Sequence, residues 1–234
     1  MNCRSLAALC VAAFLVKPDI ASAATFTYNS YNVANPQSIN ILTPNAVTGL
    51  AGQITLHGSG ANAGQTLQAW CLDVFTYLTN SATYTISSLT TSGAGGSNPA
   101  LTTAQMAQIG ALMVNGNALI NSSTDVSAAI QLAIWRTEYG ASFTYNGLSA
   151  SVTSLANTYL ANVATGGIWS GPTYIVSLLS ATGDQTLGYA NGDQQGELTP
   201  TPLPAAWLLM VSGMAGVGYV ARRRKKQNGA AAAA

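Results

Sequence analysis

Polar and apolar positions alternate through most of the first ninety residues of the chain. Segments 26–33, 39–42, 47–56, 66–78 and 84–89 are rich in Thr, Tyr, Val and Ile, are separated by turn-forming residues, and predict β-strands. The period then lengthens. Leu101-Thr102-Thr103-Ala104-Gln105 has the order of a capping box, and Met106, Ile109 and Met113 follow at helical spacing. A second helix is expected over 125–139, with Val126, Ala129, Ile130, Ala133 and Ile134 on one face and Gly140 as its stop. A third, over 151–163, carries Val152, Leu155, Ala156, Tyr159, Leu160 and Val163 at i, i+3, i+4, i+7, i+8 and i+11. Strands return at 173–179 and 186–189, and the Ser- and Gly-rich stretch 91–98 reads as a loop. Strands on both sides of a three-helix segment predict one α+β domain. It spans residues 24–198, a length of roughly 175 residues that suits a single domain.

The two ends break this pattern. Residues 1–23 run from Arg4 through an apolar stretch at 6–16 to Ala21-Ser22-Ala23, the order of a secretory signal peptide cleaved between Ala23 and Ala24. A lipoprotein would need Cys10 as its acylated residue, but Leu9 precedes it and the apolar run continues past it. At the other end, residues 199–226 comprise a Pro-containing linker, an apolar run at 205–221 and the bases Arg222, Arg223, Arg224, Lys225 and Lys226. Seventeen helical residues make roughly 25 Å, a short single transmembrane helix, with its basic end held in the cytoplasm. Residues 227–234, closing in five alanines, are of low complexity.

Charge sharpens the division. The net charge of the whole chain is +1, but all bases except Arg136 lie in the two ends. Between residues 24 and 198, Arg136 stands against Asp73, Asp125, Glu138, Asp184, Asp193 and Glu197, a balance of five negative charges without a single Lys. Nucleic acid is thereby excluded as a partner, because phosphate neutralisation needs clustered Lys and Arg.

The tail also has a specific order: Pro202-Leu203-Pro204, a short Gly-bearing apolar helix, then the Arg/Lys cluster. It resembles the PEP-CTERM sorting signal of Gram-negative bacteria that make exopolysaccharide, with Pro-Leu-Pro in the place of the usual Pro-Glu-Pro. The resemblance implies an exosortase-type membrane protease as partner. It also implies passage from the inner membrane to the cell surface or extracellular matrix. A plain C-terminal membrane anchor is the alternative.

Cys71 is the lone thiol once Cys3 and Cys10 depart with the signal peptide, so an internal disulfide is excluded. It lies in Ala69-Trp70-Cys71-Leu72-Asp73-Val74-Phe75, and the second helix carries Ile130-Gln131-Leu132-Ala133-Ile134-Trp135. Together these segments resemble the Cys-Gln thioester domains of bacterial surface adhesins. The resemblance implies that Cys71 is the thiol donor and Gln131 the acyl donor of an internal thioester, formed with loss of ammonia. It also implies that Ala133 leaves room beside the bond and that Trp135 shields it. On chemical grounds such a bond needs fixed contact between thiol and carboxamide and protection from water, for which Trp70, Trp135 and Phe75 are suitable; Asp73 and His57 are acid/base candidates.

Other chemistries lack their residues. One His and one exported Cys make no usual zinc site, the acids form no calcium loop or glycosidase pair, and no phosphate-binding glycine loop is present. No metal, cofactor or catalytic residue is therefore expected. Two readings remain. In one, an exported surface protein attaches covalently to amine or hydroxyl groups of a surface or matrix polymer or protein, a single-turnover acyl transfer rather than enzymatic turnover. In the other, Cys71 is a reduced, buried side chain of a passive envelope or matrix protein.

Overall fold

The structure, a computed structural model, describes residues 24–170 and 174–191. The expected signal peptide, including Ala23, and the expected sorting motif with Pro202, Leu203, Pro204, Arg222, Arg223 and Arg224 lie outside the described residues, as does the expected transmembrane helix. No helix among the described residues is long and apolar enough to cross a membrane.

Six strands close into an antiparallel barrel in the order β1 (Thr25–Val33), β4 (Ile54–Gly58), β5 (Thr66–Cys71), β9 (Leu187–Asn191), β8 (Ile175–Ser180) and β6 (Ala82–Ser88). Closure comes through β1, which pairs with β4 along one edge and with β6 along the other. Ala24, the residue after the expected cleavage, already accepts a hydrogen bond from Ile86 N–H at 2.8 Å. A second sheet stacks β3 (Val47–Ala51), β2 (Gln37–Thr43) and β7 (Thr144–Asn146). Helices α1 (Thr103–Leu119), α2 (Val126–Tyr139) and α3 (Ala150–Val163) fill the long connection between β6 and β8. Strands thus flank the three helices along the chain as expected, but those from before and after the helices interleave in one barrel, and β7 interrupts the helical block.

The helix starts follow their chemistry. Thr102 Oγ1 accepts Gln105 N–H at 3.1 Å while Gln105 Oε1 accepts Thr102 N–H at 2.9 Å, so α1 begins in the expected capping box. Ser149 Oγ accepts Val152 N–H at 3.2 Å and opens α3. At the end of α2, Gly140 has φ +59° and ψ −139°, a conformation that a side chain disfavours. Of the residues of α2 only Arg136 is not buried, which makes this helix the centre of the core. Its neighbour α1 approaches closely at Gly116, where an added Cβ would come within 2.8 Å of Ile130 Cγ2.

Two predicted strands stop early. The stretch 47–56 is divided into β3 and β4 at Gly52, where an added Cβ would lie 2.9 Å from the Ala34 carbonyl oxygen and 3.1 Å from Ser127 Oγ. The stretch 66–78 ends at Cys71. There Asp73 Oδ1 accepts Phe75 N–H at 2.7 Å and turns the chain out of the sheet.

Candidate functional site

At the end of β5, Cys71 pairs with Leu187 of β9 on one side, while the ladder to β4 has already finished at the Ile54–Ala69 pair. A side chain takes the place of the missing strand. Gln131, fully buried on α2, accepts Cys71 N–H on Oε1 at 3.0 Å and donates from Nε2 to the Cys71 carbonyl at 2.9 Å. The amide thus satisfies both backbone groups of the cysteine, which burial would otherwise leave costly.

The free thiol of Cys71 is buried and donates to the Asp73 carbonyl at 3.1 Å. Burial pushes the thiol far above its ordinary range; a backbone hydrogen bond from Asp73 offsets this only in part, and the charges of Glu138 and Asp73 add to it. In this state Cys71 is a neutral thiol and a weak nucleophile. The segment after β5 is pinned from three sides: Gln185 Nε2 donates to the Asp73 carbonyl at 2.9 Å, Asn45 Nδ2 to the Val74 carbonyl at 2.9 Å, and Tyr139 Oη to the Leu72 carbonyl at 3.4 Å.

Cys71, Asp73 and Trp135 line one cavity of about 240 Å³ between the barrel and the second sheet. Its walls are mainly apolar, with Val33, Ile39, Ile41 and Ile54 among them, and Leu50 and Tyr77, which also line it, are well exposed to solvent. Asp73 and the thiol are thus reached through an apolar passage. The Cys71 N–H already points at the oxygen that would carry negative charge if Sγ added to the Gln131 carboxamide carbon, the arrangement of an oxyanion donor.

The remaining sequence candidates fall elsewhere. Trp70 is fully buried but points away from the cavity, as alternation along β5 requires, and donates Nε1–H to Asn117 Oδ1 on α1 at 3.1 Å. That same oxygen accepts Gln53 Nε2 at 2.6 Å, so Trp70 fastens the barrel to α1. Ala133 is fully buried two residues beyond Gln131, roughly 200° around the helix from it. Phe75 is half-buried. His57 is exposed on β4, pairs through Nε2 with Asn32 Oδ1 at 2.8 Å and does not line the cavity, and so is a surface strand residue. Among the described residues no group of three or more His, Cys, Asp or Glu side chains could hold a metal ion.

Glu138 is the residue that sequence reading passed over. It is buried at 2% exposure, and neither carboxyl oxygen has a hydrogen-bond partner. Burial first, and then the charge of Asp73, raise it well above the usual carboxyl range. The signal was available in its position, seven residues after Gln131 and hence on the same face of the helix.

No family model matches the chain, and no curated protein matches it. Among solved structures, it is similar to the N-terminal domain of the pilus tip adhesin Cpa of Streptococcus pyogenes, at 15% identity, over 75% of this chain and 97% of that one, with a TM-score of 0.45. It is also similar to the N-terminal thioester domain of the fibronectin-binding protein SfbI of Streptococcus pyogenes, at 16% identity, over 74% and 94% of the two chains, with a TM-score of 0.43.

Proposed function

We propose that this chain is an exported surface-attachment protein whose Cys71 and Gln131 condense into an internal thioester that captures amine or hydroxyl groups of a surface or matrix partner. The observation that carries the reading is the double hydrogen bond between the Gln131 carboxamide and the backbone of Cys71, which holds the carboxamide against the residue that bears the lone thiol of the domain. In forming the bond, Sγ adds to the Gln131 Cδ, the C–N bond breaks, and the thiol proton leaves with nitrogen as ammonia. The Cys71 N–H steadies the oxygen through this change. Trp135 and the apolar cavity walls then keep water from the activated acyl group until a nucleophile enters past Leu50 and Tyr77. The event happens once per molecule, and the protein is not an enzyme on this reading.

Export and sorting rest on the sequence. The signal peptide takes the chain out of the cytoplasm, and the Pro202-Leu203-Pro204 tail with Arg222, Arg223 and Arg224 presents it to an exosortase-type membrane protease before it reaches the surface or matrix.

The test is methylamine. Incubation of the native protein should place methylamine on Gln131, located by peptide mapping, and release the Cys71 thiol to a thiol reagent in equal amount. A thiol that is free from the start and a Gln131 that never takes the amine would reject the thioester. That result would favour the second reading, which the protonated, deeply buried thiol supports: a passive envelope protein in which Cys71 only packs.

A further inference from the structure

Among the described residues, three buried side-chain polar atoms have no hydrogen-bond partner: Trp135 Nε1 and the two carboxyl oxygens of Glu138. Buried polar groups are nearly always paired, so each exception calls for a reason. All three lie on α2, on the face of Gln131 and one to two turns beyond it. Positions 131, 135 and 138 span an arc of roughly 60° on the helix, one stripe of carboxamide, indole and carboxyl. The stripe faces the end of β5: Gln131 bonds the Cys71 backbone, Trp135 shares the cavity with Cys71, and Glu138 is buried one turn further along the same face.

The reactivity of the site has an unmet need that this stripe answers. When an amine opens a thioester, sulfur departs with the electron pair. Burial makes a bare thiolate at Cys71 unfavourable, so sulfur must receive a proton as the bond breaks. Tyr139 Oη is committed to the Leu72 carbonyl and to Asn98 Oδ1, and Asp73 holds the Phe75 N–H. Glu138 is left with an acidic proton and no acceptor, kept neutral by burial and by the charge of Asp73.

We propose that Glu138 is the acid of the Cys71–Gln131 site, protonating Cys71 Sγ as an amine displaces it from the Gln131 acyl carbon. The inference rests on the thioester reading above. The amine nitrogen bonds to Gln131 Cδ, and the Cδ–Sγ bond breaks with its electron pair on sulfur. Glu138 gives its proton to sulfur, and the proton lost by the amine nitrogen returns to Glu138. Thioester and amine become amide and thiol, with Glu138 unchanged.

The other ionisable groups around Glu138 are few. Cys71 and Asp73 face it from β5 and the segment that follows, and Tyr139 is its neighbour on α2. Arg136 on α2 is turned to Asn157 of α3, α1 carries no ionisable side chain, and α3 carries only Tyr159.

The experiment follows methylamine incorporation into the full-length protein by intact mass, for wild type and Glu138→Gln, across neutral to alkaline pH. In wild type, the rate divided by the concentration of free amine should fall as pH rises and Glu138 ionises. In Glu138→Gln it should be about a hundredfold lower and flat with pH, the loss expected for removal of a general acid. Equal rates and equal pH profiles in the two proteins, with the thioester present in both, would overturn the role of Glu138 and leave the thioester standing. Absence of the thioester from wild type would overturn both. If the variant does not fold, the wild-type profile decides: a rate per free amine that does not fall with pH rejects the inference.

Discussion

Gln131 does two jobs with one side chain. It completes the sheet where β4 ends, and on the proposed function it is also the acyl donor to Cys71. Gln131→Ala should therefore cost more than a lost contact. It orphans a buried N–H and a buried carbonyl, at about 1–3 kcal/mol each, and thermal unfolding should register a fall of that order. Glu138→Gln should do the reverse at neutral and alkaline pH. Because the folded state raises Glu138, it holds a proton that the unfolded chain releases above the ordinary value of 4.5, so the native state loses stability as pH rises past that point. The amide cannot ionise. Its melting temperature should exceed that of wild type at pH 8, and the decline from acid to neutral pH should be shallower. Tyr28 gives a second, later slope: desolvation in the barrel, with Asp184 close by, raises it from 10.0 to about 12. The unfolded chain releases this proton first, so stability should fall further between about pH 10 and 12.

At the scale of elements, helices were legible in the sequence because their signals are local. The capping box at Thr102, the periodicity of α3 and the Gly140 stop each act within a turn or two of chain. The C-terminal half of α1 was less so. Gly110, Asn115, Gly116 and Asn117 are poor helix formers; tertiary packing holds them, with Gly116 against Ile130 and Asn117 accepting from Trp70 and Gln53. The three-residue β7 was invisible for a related reason. It is fastened by the hydrogen bond from Asn40 Nδ2 to Asn146 Oδ1 at 2.9 Å and the Thr43–Thr144 hydroxyl pair at 2.7 Å, partners about a hundred residues distant in sequence. Gly116→Ala tests how tightly the site depends on this packing. Its Cβ would press on Ile130, the residue before Gln131, at an expected cost of about 1–3 kcal/mol, read by denaturant unfolding. A shifted α2 should also lower the fraction of molecules that take up methylamine at Gln131.

For the whole molecule, the interleaved barrel explains why two segments sixty residues apart meet. β9 must return to close β5 at Cys71, and the helical connection that carries the chain back lays α2 across the same end. The sequence held the pair of residues but not the cavity, whose walls come from β1, β2, β3 and β4 as well as the loop after β5. Of the expected shields, Trp135 lines the cavity, while Trp70 is turned away by strand alternation. The charge segregation, with bases at the ends and five net negative charges between, is what the proposed export and sorting call for. Removing residues 222–226 should release the protein from the membrane fraction or block its processing, and unchanged fractionation would count against the sorting tail.

The most direct test of the central claim is the intact mass of freshly purified protein. A Cys71–Gln131 thioester makes the chain about 17 Da lighter than its sequence, the mass of one ammonia, and either Cys71→Ala or Gln131→Ala restores the full value. A wild-type chain at its full sequence mass, folded and freshly prepared, would contradict the account.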